Sequence, residues 1–547
     1  MPFSRRLFLF PIALFLGVFL LHLPSLGNGF HYDDGHSLLR NPHIRSLASL
    51  PAFFHDTTTF SENPDYAMFR PLVLVAHALN YAWGLYDPFG YHLLNLIIHS
   101  LATLCVYTLL KQLNLPATAA LLGAFLFGLH PVQTEPINYI SSRSESLAAL
   151  FYLFAFSGFI RASSQREFSW LWYPLSLAAF SLGLLSKATA LTLPLALLLY
   201  EFLLIKNREA RSLRERILKF HLSFWFLSGF YLIIYRLLAA QGLQRAEQVR
   251  PPLAQLATQI KALIHYIVLA FMPVNMSVFQ QFWVSEILFT PVPLLALFCI
   301  ISLLGIAIRR KTLSPLLPFA LGWLLITLLP TLIIPLHILV NDHRLYPGLF
   351  GFSIVAAFFF AQSKIRWPFY LLCLFFAFIS FQRDRVWKDE LTLWQDAASH
   401  APLMPEVHYN IGFAHHKSKH LSSARQAYER AVQLNPQYAR AQTNLGALYR
   451  ETGESDRAIQ AFSAALQSEP DLLEALNNLG LVYRDQGKLE EALVAFQRVI
   501  RKDPELAEAH FNLGLVYRDK GDSQKAFEHL SKAIQLDPDL KNQFSPR

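Results

Sequence analysis

The chain has 547 residues, 53% of them hydrophobic and only 16% charged, and a mean hydropathy of +0.31. That is too apolar for a protein soluble throughout, and the average joins two unlike parts: residues 1–382 read as membrane and the remainder as soluble. Cys105, Cys299 and Cys373 all lie in apolar runs, which excludes a disulfide framework and a cysteine zinc site. The net charge of +9 does not point to nucleic acid, because the Lys and Arg of the membrane part gather in short loops between apolar spans.

Arg5 and Arg6 precede an apolar run from Leu7 to Leu23. It reads as a first transmembrane helix, with an uncleaved signal as the alternative. Residues 28–90 form a polar loop too long for a simple connector, carrying Asp33, Asp34, Asp56, Glu62, Asp65 and Asp87. Further apolar spans follow at 91–110, 117–130, 145–160, 169–185, 189–205, 220–239, 288–308, 315–332, 347–363 and 367–381. With the first, they predict about eleven crossings of roughly 20 residues each. Basic turns lie at Lys206–Lys219 (with Arg208, Arg211, Arg214 and Arg216), at Arg309–Lys311 and at Lys364–Arg366. All are cytoplasmic only if residues 257–275, broken by Pro273, form an interfacial or re-entrant helix. The odd count then puts the N-terminus in the cytoplasm, and the 28–90 loop and the C-terminal part outside it.

In residues 383–404, Trp394, Ala397 and Pro402 fit the second helix of a repeat that lacks its first. Four full repeats follow over 405–540, and a tail over 541–547. Gly412, Gly446, Gly480 and Gly514 recur in one register with Ala424, Ala458, Ala492 and Ala526, and Pro436, Pro470, Pro504 and Pro538 close each unit. This 34-residue period resembles the tetratricopeptide repeat, which implies an α-solenoid with a concave, peptide-holding face. The fold expected is all-α: a polytopic helical membrane domain, then the solenoid. Asn410, Asn444, Asn478 and Asn512 form a ladder in the same register. A side-chain amide offers donor and acceptor to an extended peptide of any sequence. The ladder resembles that of the nucleocytoplasmic O-GlcNAc transferase, which grips substrate peptides; bonding between neighbouring repeats is the equal alternative.

Charged groups in or beside membrane helices are functional candidates by default. Asp33 and Asp34, in FHYDDGHSLLRNP, either cap a short helix from Gly35 or form a carboxylate pair suited to general-base work. Arg70, in FRPL, precedes a helix with Pro71 at its first position. His92, Asn95 and His99 share one helix face, which points them into the protein; two turns separate the histidines and no carboxylate flanks them, so no metal is expected. HPVQTEPINYISSR contributes His130, Glu135 and Arg143, Lys187 ends a span, and NDHRLYPG brings Asp342, His343, Arg344 and Tyr346. Separate loops delivering Arg or Lys to one level suit an anionic group, phosphate above all.

The order YDD, FRPL, GYHLLNLIIH, GLHPVQTEPI with SSR, LSK, HRLYP and then tetratricopeptide repeats is similar to the transmembrane and tetratricopeptide-repeat O-mannosyltransferases and their bacterial relatives. These belong to the GT-C superfamily of membrane glycosyltransferases, and the likeness covers nearly the whole chain. It implies that Asp33 and Asp34 are catalytic, and that Arg70, His92, Asn95, His130, Glu135, Arg143, Lys187, Arg344 and Tyr346 line the donor phosphate and substrate site. It implies inverting transfer of a sugar, mannose in the family, from a polyprenyl-phosphate donor to Ser/Thr hydroxyls of an extracytoplasmic protein held by the repeats, without metal or other cofactor. The setting implied is a bacterial inner membrane, with lipid and protein partners and no nucleic acid. The chain departs from the family pattern at Ala188, where an acidic residue is common, at Ser142, where Gly is usual, and at Asp342, where Glu is expected. A non-enzymatic repeat scaffold anchored by the spans, or an oligosaccharide ligase or polymerase, are the alternatives. Eleven spans exceed what an anchor needs, and a ligase normally carries its large loop late.

Overall fold

Proline punctuates the apolar runs and sets where most helices of the membrane part begin, since its missing N–H and fixed φ cost nothing in a first turn. The computed structural model describes all residues except 1, 64–65, 165–170, 206–212, 239–248, 311–313, 336–337 and 541–547, and only the backbone of 2–8, 164 and 213. Lys206, Arg208, Arg211, Lys311, Asp65, the 541–547 tail and the side chains of Arg5 and Arg6 therefore lie outside the described residues. The chain divides into two compact units, Met1–Leu393 and Trp394–Arg547.

In the first unit the helices are α1 (Pro2–Leu21), α2 (Pro71–Gly84), α3 (Pro88–Gln112), α4 (Ala117–Gly128), α5 (Thr134–Asn138), α6 (Arg143–Ser164), α7 (Trp172–Ser186) and α8 (Leu193–Leu203). They continue as α9 (Leu213–Arg216), α10 (Leu222–Leu238), α11 (Pro252–Phe271), α12 (Pro291–Arg309), α13 (Leu316–Ile333), α14 (Leu349–Gln362) and α15 (Trp367–Val386). Pro71, Pro88, Pro252 and Pro291 each open a helix. No strand occurs among the described residues.

The sequence predicts about eleven crossings, whereas among the described residues six helices are long and apolar enough to cross a membrane. They are Pro88–Gln112, Ile140–Ser163, Arg214–Leu238, Pro252–Phe271, Pro291–Arg309 and Leu316–Ile333. A seventh exists if Ala117–Gly128 and Pro131–Asn138, bent by 48°, count as one, and four more apolar helices are shorter. The bend has a chemical cause. Pro131 lacks an N–H and Val132 N bonds His130 Nδ1 (3.3 Å), so neither closes the helix onto the carbonyls before it. The carbonyls left behind are satisfied from elsewhere: Phe127 O by His130 N (3.3 Å), Gly128 O by His99 Nε2 (3.0 Å) and His22 Nε2 (3.3 Å), and Leu129 O, since Gln133 N turns to His130 O, by Ser380 Oγ (2.8 Å). A broken helix is tolerated at membrane depth only when side chains re-satisfy its backbone in this way.

Pro252–Phe271 is among the candidate crossings, although its sequence reads as interfacial or re-entrant. Pro273 lies beyond its end. The chain then doubles back: Ser285 N donates to Thr258 Oγ1 (2.9 Å) and Lys261 Nζ to Trp283 O (2.9 Å). Residues 283–285 thus return alongside the N-terminal half of α11.

The second unit begins within helix α16 (Glu390–His400), and α15 runs past residue 382 to Val386. Four helix pairs follow, α17 (Pro405–Lys417) with α18 (Leu421–Leu434), α19 (Ala439–Glu451) with α20 (Ser455–Ser468), α21 (Leu473–Asp485) with α22 (Leu489–Lys502), and α23 (Ala507–Asp519) with α24 (Ser523–Leu536). The periodic glycines are where the two helices of a pair meet. A Cβ on Gly412, Gly446, Gly480 or Gly514 would lie 2.5–2.8 Å from Tyr428, Phe462, Phe496 or Leu530. Gly453, Gly487 and Gly521 adopt φ of +80°, +74° and +82° between the helices of a pair, and Lys419 holds the equivalent place in the first repeat at φ +60°.

Candidate active site

The loop after α1 turns on Tyr32, whose φ of +49° is unusual for a non-glycine residue, and continues into a π-helical turn, Gly35–Leu39. Between them stand the two aspartates, in different surroundings. Asp34 is fully buried: Oδ1 accepts from Ser141 N (2.8 Å) and Ser141 Oγ (2.6 Å), Oδ2 from His31 N (3.0 Å). Burial pushes its carboxyl up to about 6, while the His31 and Ser141 donors oppose the shift and Asp33 adds to it. The Asp33 side chain is 47% exposed, with Oδ1 3.5 Å from His36 Nε2. Its N–H donates to the Tyr139 hydroxyl (3.3 Å). His36 is held in turn by Ser61 Oγ (3.0 Å) and stacks on Tyr66. One carboxylate therefore fixes the loop while its neighbour meets solvent.

Cations gather beside this loop around one buried carboxylate. Lys187 Nζ pairs with Glu145 Oε2. Arg70 donates to Ser144 Oγ (3.3 Å) and lies within electrostatic reach of Glu145 and Asp33. Arg70 and Arg344 both act on Lys187. Arg344 donates to the carbonyls of Leu339 (3.0 Å) and Ile338 (2.8 Å), and His343 bonds Glu135 through Nδ1 (2.7 Å) and N (3.1 Å).

The remaining sequence-predicted residues are placed in the packed interior, with protein partners. Arg143, expected to face phosphate, is 0% exposed, its fork spread over Asn95 Oδ1 (2.6 Å), Asn80 Oδ1 (2.8 Å) and Tyr91 O (2.8 Å). It joins α6 to α2 and α3. Asn95 completes this by donating to Ile137 O (3.2 Å), and His92 Nε2 reaches Gly29 O (3.3 Å). His130 caps the bend and reaches Ala270 O (3.1 Å), and Tyr346 is buried against His99 (2.8 Å) and Phe127. Among the described residues no three His, Cys, Asp or Glu are grouped to hold a metal.

Nor is the asparagine ladder uniform. Asn444 donates to Tyr409 Oη (3.2 Å) and Asn512 to Asn477 Oδ1 (3.0 Å), each across to the preceding repeat. Asn410 and Asn478 donate one turn back to Glu406 O and Glu474 O. A second ladder runs beside it: His416 with Glu451 (2.9 Å), Arg450 with Asp485 (3.5 Å), Arg484 with Asp519 (2.8 Å), each joining one repeat to the next.

Sequence reasoning passed over Glu145, Ser141, Tyr139 and the buried set of His22, Asn28, Asn138 and Asp384. In that set Asp384 bonds His22 Nδ1 (2.8 Å) and Asn138 Nδ2 (2.7 Å), and Asn28 Nδ2 bonds Asn138 Oδ1 (2.6 Å). The signal was present: Glu145 and Asp384 are acidic residues beside apolar runs, and such residues need a partner.

A helical membrane unit with adjacent carboxylates beside cations, continued in the chain by a repeat solenoid, defines the class as a helical membrane protein with tetratricopeptide-type repeats. Residues 86–235 match the dolichyl-phosphate-mannose-protein mannosyltransferase family, and 414–472, 480–521 and 507–540 match tetratricopeptide repeat families. Protein O-mannosyl-transferase F38B6.6 of Caenorhabditis elegans is 26% identical over 446 residues, covering 76% of this chain and 61% of its own length. Protein O-mannosyl-transferase TMTC3 of Homo sapiens is 24% identical over 467 residues, covering 75% and 50%. Tmtc1 of Drosophila melanogaster is 34% identical over 178 residues, covering 32% and 20%. The chain thus spans no more than 61% of the length of these relatives. It joins a segment similar to the dolichyl-phosphate-mannose-protein mannosyltransferase family to tetratricopeptide repeats, and is similar to these protein O-mannosyl-transferases. Among solved structures, that of MamA aligns with 28% of this chain and 90% of its own at 23% identity and a TM-score of 0.26.

Proposed function

We propose that the protein is an inverting glycosyltransferase that moves a sugar, mannose by likeness to its relatives, from a polyprenyl-phosphate carrier to a Ser or Thr hydroxyl of a protein held by the repeats. The observation that carries this reading is the division of labour between the aspartates. Asp33, half exposed, is the group that reaches the acceptor; Asp34, buried on Ser141 and His31, is the positioning residue beneath it. In the step, the acceptor oxygen bonds the anomeric carbon with inversion and its proton passes to Asp33. The bond from that carbon to the phosphate oxygen breaks, and its electron pair leaves with the polyprenyl phosphate. Lys187, Arg70 and Arg344 supply positive charge for the departing phosphate, and Arg143 holds the scaffold. Phosphate is a good leaving group, so no second carboxylic acid, metal or cofactor is assigned a part.

The reading further places the chain in a bacterial inner membrane, with the N-terminus cytoplasmic and the first loop and the repeats outside, an orientation that requires Pro252–Phe271, a candidate crossing by length and composition, to be interfacial or re-entrant. Its test is transfer of label from a polyprenyl-phosphate mannose to acceptor peptides by the purified full chain. Labelled product is expected from the parent, with Asp33→Asn reduced by about 100-fold or more at unchanged folding. Equal transfer by parent and Asp33→Asn would overturn the assignment.

A further inference from the structure

The residues that lead out of α15 are bonded along the start of the aspartate loop. Asp384 O accepts from Asn28 Nδ2 (2.9 Å), Trp387 O lies 2.6 Å from His31 Nε2, and Lys388 O accepts from Gly29 N (3.4 Å). The Trp387 indole is 1% exposed. It packs edge-on to the His31 ring (5.6 Å between centroids) and stacks on Tyr139 (6.0 Å, 17° between planes). Tyr139 is the residue whose hydroxyl accepts from Asp33 N, and His31 N is one of the three donors to Asp34. Both aspartates are thus reached from Trp387 through one intervening residue. Tyr32, between them and His31, is in the left-handed region, a conformation that its surroundings must impose. Trp387 Nε1 is buried with no hydrogen-bond partner among the described residues, so the contribution of the indole is its ring faces and volume.

We infer that Trp387 and His31 are positioning residues for the Asp33–Asp34 pair, and that segment 384–388, six residues before the second unit begins, is by this staple a working part of the active site. The inference rests on the proposed transfer reaction. It assigns a function to a stretch that would otherwise be a connector, and it makes the chain leading into the repeats a wall of the loop that carries the chemistry.

Two measurements on the full chain in detergent separate this from the transfer reading itself. Amide hydrogen exchange at Tyr32–Gly35 needs no activity. It is expected to quicken about 10-fold or more in Trp387→Ala and in His31→Ala, and to stay near the parent rate in Trp387→Phe, which keeps a ring on Tyr139 and removes no hydrogen bond. Unchanged exchange in Trp387→Ala would overturn the staple whatever happens to transfer. In the transfer assay, Trp387→Ala is expected to lose about 10-fold to 100-fold in kcat at unchanged donor KM, with Trp387→Phe restoring most of it. A kcat equal to the parent, or a loss that follows the folded fraction in both variants, would overturn the positioning role.

Discussion

In the repeats, each periodic glycine meets a side chain in the next helix of its own repeat, so the contact that fixes the fold is local and recurs four times. In the membrane unit, Asp34 meets Ser141 across 107 positions and His22 meets Asp384 across 362. A periodic local contact leaves its mark on the sequence directly, because the same residue type must reappear at the same interval. A single long-range contact leaves only two isolated polar residues. The first region teaches how the chain stacks, and the second how a site is assembled from pieces that say little alone.

Breaking a long-range contact should therefore cost more than breaking a periodic one. Arg143→Ala leaves Asn80, Asn95 and the Tyr91 carbonyl without their donor in a buried place, and a loss of about 3–5 kcal/mol is expected in chemical or thermal unfolding of the membrane unit. Lys187→Met combined with Glu145→Gln, which removes both charges of the pair together, should instead lower transfer while the unit stays folded. If the two variants exchange these behaviours, Arg143 is the phosphate ligand and the division drawn above fails.

Proton binding at Asp34 comes next. Its folded carboxyl keeps its proton up to about 6, against a reference of 3.8 when unfolded. Between those values the folded chain holds more protons, so this residue opposes folding increasingly as pH rises, by up to about 3 kcal/mol above pH 6. Transfer should nonetheless fall as pH drops through about 6, because a protonated Asp34 no longer accepts from all three donors of the loop. A pH profile of kcat checks this, and a flat profile from pH 5 to 8 would contradict it.

In the repeats the effects are smaller. Gly446→Ala forces a methyl to within 2.8 Å of Phe462, and about 1–3 kcal/mol of stability should be lost on repacking. Lys419→Gly replaces a strained residue by the one its position favours in the other repeats, with a gain of about 1 kcal/mol expected in thermal unfolding.

The four repeats and their crossing glycines were readable from residue type and register, whereas the aspartate pair was singled out by its place just after the first apolar run and by the resemblance of its motif. What was not readable follows from geometry. Arg143 and Lys187 look alike as cations at span ends, and only the positions of Asn80, Asn95 and Glu145 show that the first is spread over neutral partners in the interior and the second is paired with a carboxylate. The asparagines share a register, yet Asn444 and Asn512 donate to neighbouring repeats, Asn478 donates back to its own helix while accepting from Arg450 of the preceding repeat (3.3 Å), and Asn410 donates back to its own helix. Their rotamers depend on what stands one repeat away. The eleven apolar runs read from hydropathy correspond, among the described residues, to six full-length candidates, one bent pair and several shorter helices, because hydropathy does not register where a run bends at Pro131 or stops short, as in the 14-residue helix Leu349–Gln362.

The account stands on Asp33 and the repeats meeting the same aqueous compartment, since a held acceptor must reach the exposed carboxylate. Single cysteines at exposed Thr58 and Ser468, in a chain whose three native cysteines are replaced, can be treated with a membrane-impermeant maleimide on intact cells. The account predicts that both react without permeabilisation. Labelling of Thr58→Cys alone, with Ser468→Cys reacting only after the membrane is opened, would contradict it.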